Sequence, residues 1–270
     1  MNRVAVQQRA KPQGTSAGRV AVLGLGEAGS RLASDLVAAG VEVWGYDPDP
    51  GRDVPAISRV LDPASAAAGS DVVLSVNSAK VALDAAAASL SALQETTIYA
   101  DLNTTSPELK RELAALVGRQ ARFVDVALLG PVPASGLRAP VLASGEGAQA
   151  FADLFRPLGM PVEVVSAEPG DAAAMKLVRS VFMKGLAASV VESMQAAEAA
   201  GRADWLAQEI AAMIGRPFLE RALGGSRKHA ARRVDEMEAA RDLLLELGVE
   251  PRIAAASAAQ LAELAAAGER

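Results

Sequence analysis

Two regimes of apolar and polar positions divide the chain. Up to about residue 166, short apolar runs alternate with Gly, Pro and Asp: RVAVLG, VEVWGYD, ISRVL, DVVLSV, TTIYADL, ARFVDVALLG, PVLASG and PVEVVS. Short apolar runs bounded by turn formers predict buried strands. Helical patterns at 30–40, 81–93 and 148–158, and one opening at Ser106-Pro107, separate them. After residue 170 every segment reads as helix. The longest, 171–200, has no proline and one interior glycine, Gly185, and at about 1.5 Å rise per residue would run roughly 45 Å. Pro169-Gly170 supplies its break and Asp171 is the expected N-cap. Leu177, Val178, Val181, Phe182 and Leu186 predict an apolar stripe on it, and Lys176, Ser180 and Lys184, four residues apart, share another side. Further helices are expected at 203–214, 217–223 and 234–247, where Gly248 and Pro251 stop the pattern, and at 253–267. The expected architecture is α/β: a polar, mobile arm over 1–18, a doubly wound sheet over 19–166, and an all-α domain over 167–270, joined by the long helix as a spine.

Composition narrows the chemistry. The chain has 270 residues and a formal charge of −5, so no basic surface for nucleic acid or anionic membrane is expected. It has no cysteine and a single histidine, His229. Disulfides and thiol catalysis are excluded, a metal site is not expected, and a Ser-His-Asp hydrolase would have to use His229. No apolar run approaches the roughly 18 residues of a membrane span, and no signal-peptide core is seen at the N-terminus, so a cytoplasmic protein is expected. Aromatic residues make up 3%, which leaves core packing to aliphatic side chains.

The segment 19–47 carries the most information. A buried strand leads into Gly24-Leu25-Gly26-Glu27-Ala28-Gly29, then a helix, then a strand closed by Asp47. In a G-x-G-x-x-G turn the first glycine permits the tight bend. The second lets backbone approach a pyrophosphate, and the third lets helix and strand pack closely. The diphosphate would rest on N–H groups at the helix start. Asp47 stands where an acid accepts from a ribose 2′-hydroxyl, which favours NAD over NADP. Arg52 and Arg59 are near enough in sequence to leave NADP open. Ligands gather beyond the carboxyl ends of strands in such sheets, so Asn77, Asn103 and Thr104 are candidates to face the nicotinamide and its ribose; turn and cap chemistry explains each equally well. The Pro/Gly loop GPVPASGLRAP is either a wall of a substrate pocket or a plain hairpin connection.

Lys176 lies among Ala174, Met175 and Leu177 near a helix start. The helix dipole does not favour a cation there, and burial would lower its pKa toward proton-transfer range. A snorkelling lysine whose stem covers apolar surface is the alternative. His229, Arg232, Arg233 and Glu236 fall on neighbouring helical rows. They form either an anion-holding group or a solvated charged face partnered by Glu236 and Glu238.

Taken together these residues resemble the β-hydroxyacid dehydrogenase family, which includes 3-hydroxyisobutyrate, tartronate semialdehyde and 6-phosphogluconate dehydrogenases. The resemblance covers nearly all of the chain after Gly18. It rests on GLGEAG, on DLNTTSPELKRELA in place of the family's D-S-S-T segment, on VDVALLGPV, and on GDAAAMKLV, where Lys176 follows Gly170 by six residues. The short helical second half, with HAARRVDEM, looks like a branch similar to 6-phosphogluconate dehydrogenase. The resemblance implies a Rossmann-type domain, Lys176 as general acid/base, a small 3-hydroxy acid or its oxo form as substrate, a site between the domains, and a homodimer with interlocked C-terminal helices. Two departures stand out. Ser180 replaces an asparagine four residues after the lysine, and Leu129, followed by Gly130, stands where the substrate loop carries a serine. Leu129, Gly130, Ser180, His229 and Arg232 are the candidate substrate contacts, with Arg138 and Lys184 as possible replacements for the lost polar groups. An imine reductase shares this architecture, although such enzymes typically carry Asp or Tyr at the lysine position. A binding module for NAD(H) without turnover is the reading from another class.

Overall fold

The computed structural model describes residues 18–268, apart from the side chains of Arg227 and Lys228; all but the last residue of the predicted arm lies outside the described residues. An eight-stranded sheet has the order β3-β2-β1-β4-β5-β6-β7-β8. Its strands are β1 (Arg19–Leu23), β2 (Glu42–Tyr46), β3 (Ser58–Arg59), β4 (Val72–Ser75), β5 (Ile98–Asp101), β6 (Arg122–Leu128), β7 (Val141–Ser144) and β8 (Val162–Ser166). Strands β1 to β6 are parallel; β6 meets β7 antiparallel, and β8 runs with β7. The first six strands thus follow the 3-2-1-4-5-6 order of a dinucleotide-binding sheet.

Helices α1 (Glu27–Ala38), α2 (Pro63–Ala67), α3 (Ala82–Ser89), α4 (Pro107–Val117), α5 (Val132–Ser135) and α6 (Ala148–Phe155) cover the sheet. The strands lack alternation because both faces are covered. Val20, Val22, Val72 and Leu74 enter one core layer with Leu32, Leu36 and Phe151, while Ala21, Leu23, Val73 and Tyr99 enter the other with Leu113 and Val117. The ISRVL run yields only the two residues of β3, since it lies at the sheet edge with Leu61 95% exposed. The Pro/Gly loop proves to be a hairpin connection between β6 and β7. It forms α5 and a single 3₁₀ turn, Gly136–Arg138, fastened to α1 where Leu137 N–H donates to Asp35 (3.0 Å) and Arg31 donates to the Pro133 carbonyl (3.3 Å).

The remaining chain is helical: α7 (Asp171–Ala199), α8 (Ala203–Ile214), α9 (Arg216–Lys228), α10 (Ala230–Glu246) and α11 (Arg252–Gly268). The first half of α7 packs through Leu177 on Met237 and Ala240 of α10 and on Ala254, Ala258 and Leu261 of α11. Its second half packs through Val190 and Met194 on Ile210 of α8 and Leu219 of α9. The predicted single stripe is therefore split: Leu177 is buried, while Val178 and Phe182 are 50% and 69% exposed. A helix that meets different neighbours along its length cannot keep one apolar face. None of the helices among the described residues is long and apolar enough to cross a membrane.

The expected cap of α7 is also corrected. Gly170, with φ of 98°, is the N-cap and Asp171 is already helical. The first-turn donors are satisfied from the sheet: Ala172 N–H donates to Ser144 Oγ (3.1 Å) and Ala173 N–H to Asp125 Oδ2 (2.9 Å). A distant carboxylate does the work assigned to the local one.

Candidate active site

The glycine turn after β1 is built as a ligand cradle. A Cβ on Gly24, whose φ is 101°, would lie 2.4 Å from the Val76 carbonyl oxygen, and one on Gly29 would lie 1.8 Å from that of Gly24. Both glycines are fixed by the chain's own packing. A Cβ on Gly26 would meet nothing within 4 Å, so this glycine keeps open the space in front of the α1 start, which has no side-chain cap. A cavity of about 490 Å³ opens there, lined by Gly24, Gly26, Asp47, Asn77, Val81 and Ala88 among others. The residues present fit a dinucleotide. Leu25 bonds Asp47 by its backbone N–H (2.7 Å) and is itself buried; Glu27 is exposed and Ala28 half-buried at the helix start. The Asp47 carboxylate also accepts from Asp49 N–H (2.9 Å). The Arg59 guanidinium is turned to the carbonyls of Asp47 (2.9 Å), Asp49 (2.7 Å) and Arg52.

Further along the same strand ends, Asn103 donates to Asn77 Oδ1 (2.9 Å), to Ser75 Oγ (3.1 Å) and to Asp101 Oδ1 (2.5 Å). The next residue, Thr104, accepts from Lys176 Nζ at 2.6 Å. Lys176 is half-buried in side-chain area with its nitrogen deep among protein atoms, and burial lowers its pKa from 10.5 to about 8. Glu236 opposes that shift, while Lys110, Lys184 and Arg232 add to it. Glu236, on α10, accepts from Ser180 and from Lys184 (3.0 Å). Burial raises its pKa, but Lys184, Lys176 and the Ser180 hydroxyl outweigh burial and hold it below the usual carboxylate value.

Behind this contact is a second, wholly buried group. Lys110 Nζ donates to the Asp101 carbonyl (2.8 Å) and to Asp101 Oδ2 (2.6 Å), and forms an ion pair with Asp125 Oδ1 at 3.0 Å. Burial disfavours this ammonium, yet Asp101 and Asp125 more than offset it and raise its pKa. The Asp125 Oδ2 that caps α7 also accepts from Ser144 (3.3 Å).

The structure thus brings Gly24, Gly26, Asp47 and Asn77 around one cavity and links Asn77 through Asn103 to Thr104 and Lys176. Ser180 is 1% exposed and engaged with Glu236. Arg232 is exposed on α10, one turn before Glu236. His229 sits at the break between α9 and α10, half-buried. Leu129 packs toward Ala127, Leu142 and Ala172 and lines a separate open depression with Pro140, Arg156 and Met160; Gly130 adjoins Pro140. Arg138 is exposed on the connection held to α1. The sequence reading passed over Lys110. Its signal lay in the spacing Pro107, Lys110, Leu113, Val117, which are the buried positions of α4.

Fold and site together define a dinucleotide-binding Rossmann-type domain followed by a helical C-terminal region. The chain belongs to the family described as the NAD binding domain of 6-phosphogluconate dehydrogenase, which matches residues 19–159. A domain of unknown function, DUF1932, matches residues 197–264. A solved conserved protein of unknown function, whose structure is described as similar to 3-hydroxyacid dehydrogenases, is 31% identical with a TM-score of 0.69, covering 91% of this chain and 96% of its own. The 3-hydroxyisobutyrate dehydrogenase of Mycobacterium tuberculosis, solved with L-serine, shares the fold: TM-score 0.77 at 22% identity, over 93% of this chain and 94% of that one. An uncharacterized 28.5 kDa protein of Methanothermus fervidus is 27% identical over 157 residues, or 57% of this chain and 61% of that protein. The match spans less than two thirds of that relative's length.

Proposed function

We propose that the chain passes hydride between NAD and a small 3-hydroxy acid or its oxo form, with Lys176 as the general acid/base. The observation that carries this reading is the amine of Lys176. It has a pKa of about 8 and is held by Thr104 beyond the carboxyl ends of the same parallel strands as the glycine cradle. A group that titrates near working pH can both take and give a proton. The nicotinamide, when bound, accepts or supplies the hydride. In oxidation neutral Lys176 takes the substrate hydroxyl proton; in reduction its ammonium donates a proton to the carbonyl oxygen. Thr104 orients the amine, and the exposed Arg232 is available to a substrate carboxylate. NAD is favoured because the Asp47 carboxylate would repel a 2′-phosphate while Arg59 is committed to backbone carbonyls. A homodimer through the C-terminal helices is supported by the apolar side chains left open there, Phe182 (69%) and Met213 (74%) among them; sedimentation at micromolar concentration tests it.

The decisive experiment assays oxo acids and cyclic imines with NADH and NADPH, using native protein beside Lys176→Ala. Oxo acid reduction that falls by about a thousandfold in the variant is the expected result. Reduction of imines alone would replace this reading with an imine reductase. NADH binding without turnover of any compound would leave a cofactor-binding module.

A further inference from the structure

The acid–base reading of Lys176 leaves Asp101, Lys110 and Asp125 without a task, although Lys110 is 1% exposed and both aspartates 0%. Their connections run in two directions. Asp101 ends β5; its Oδ1 accepts from Asn103, the residue before Thr104. Asp125 lies on the neighbouring strand, and its Oδ2 accepts the Ala173 N–H in the first turn of α7, three residues before Lys176. The two partners of the Lys176–Thr104 bond therefore belong to separate segments, and each segment is hydrogen-bonded to one of these carboxylates. The Lys110 ammonium is the group that touches both.

We propose that Lys110 is a positioning residue: its ammonium clamps the strand-end turn that presents Thr104 to the helix turn that carries Lys176, and so fixes how the amine is presented to substrate. The proposal rests on the acid–base role of Lys176. Without the ammonium, two carboxylates paired level across adjacent strands would face each other at 0% exposure. They would have to separate or share a proton, because like charges in such a place cannot both remain ionised. The α7 dipole favours one of them, Asp125, but leaves Asp101 without a counter-charge. Either response moves one side of the Lys176–Thr104 contact relative to the other. Lys110 also adds a positive charge near Lys176. The charged groups facing Lys176 are Glu236 and Arg232 on α10, Lys184 on α7 and Lys110 on α4.

The test uses a variant that keeps the buried charge balanced, Lys110→Met with Asp101→Asn, which removes one charge of each sign and leaves an amide oxygen for Asn103. Asp125→Asn breaks the other arm and carries the test alone if the double variant does not fold. The first readout needs no substrate: a pH titration of the Lys176 Cε resonance in lysine-labelled protein, assigned by its loss in Lys176→Met. The native midpoint should lie near 8; because the double variant removes a paired cation and anion together, their fields at Lys176 largely cancel, and a shifted midpoint reports a displaced amine. The second readout is kinetic. In both variants kcat for the best oxo acid should fall by about tenfold or more while the NADH Kd stays within about threefold. An unchanged kcat in a folded variant overturns the proposal, as does a parallel loss of kcat and NADH affinity, which would mark the cluster as a structural ion pair only. Should native protein reduce no oxo acid, the proposed function fails on its own account. The clamp is then judged by the titration and by hydrogen exchange at the Ala173 amide: an unmoved midpoint or unchanged exchange overturns it, and a moved midpoint with faster exchange supports it.

Discussion

Replacing Lys176 by methionine should stabilise the protein at neutral pH while removing the proposed acid–base group. Burial lowers the pKa of this lysine from 10.5 to about 8. A folded state that binds its proton less tightly than the unfolded chain is penalised wherever both are protonated. At about 1.36 kcal/mol per pH unit, the difference corresponds to roughly 3 kcal/mol at pH 7. The sign follows directly. Between pH 8 and 10.5 the unfolded chain holds the proton and the folded chain does not, so stability from this group rises with pH and is lowest below 8. Methionine fills a similar volume with no charge and should recover a large part of that amount, less what is lost with the Thr104 bond (about 1 kcal/mol). The assay is urea unfolding of native and Lys176→Met protein at pH 7 and pH 9.5. The variant should be more stable by about 1 to 3 kcal/mol at pH 7, and that advantage should shrink by about 2 kcal/mol at pH 9.5. Groups distant from Lys176 cancel in the comparison, and Glu236, which Lys184 and Ser180 also hold below the usual carboxylate value, stays ionised across this pH range. A variant less stable than the native protein at pH 7, or a difference that ignores pH, would refute the assignment of a desolvated amine.

The remaining expectations concern catalysis and the cradle. Reduction of an oxo acid should decline as pH rises through about 8 and oxidation should increase over the same range, read from kcat profiles in the two directions; parallel profiles would contradict a single proton carrier. Gly29→Ala should destabilise the fold by about 2 kcal/mol or more, because its Cβ would lie 1.8 Å from the Gly24 carbonyl oxygen. Gly26→Val should leave the melting temperature nearly unchanged and weaken NADH binding, since its side chain would enter open space in front of α1. Asp47→Asn should reduce the preference for NADH over NADPH by about tenfold, measured by binding of each cofactor; an unaltered ratio would remove Asp47 from cofactor choice.

Much of the sheet was legible because its signals are local. Each core strand is an apolar run closed by Gly, Asp or Asn, and the glycine turn after β1 can be read from spacing alone. The environment of Lys176 was legible for a similar reason: its neighbours on one helix are apolar, and Ser180 and Lys184 follow at fixed intervals. What escaped depends on register and packing between distant segments. Asp101 and Asp125 come level only through the pairing of β5 with β6, so no local pattern announces that Lys110 has two partners. Asp171 looks like a cap in the sequence, yet Asp125 reaches the helix first because β6 passes beneath it. Glu236 reads as part of a solvated face until α10 closes on α7 and buries it against Ser180 and Lys184.

The manner in which α7 begins has a bearing on how the surroundings of Lys176 could loosen. Its first turn is tied to Ser144 and Asp125, so the root of this helix travels with the sheet as one body. On the proposed reading, a substrate would be accommodated farther out, by the rod flexing past Ala173 or by α10 easing away from Lys184. Because Glu236 would release Lys184 and Ser180 in the second case, entry of a ligand and the local charge balance would become linked events, and an anion arriving there would find one cation, Lys184, and one hydroxyl newly at hand.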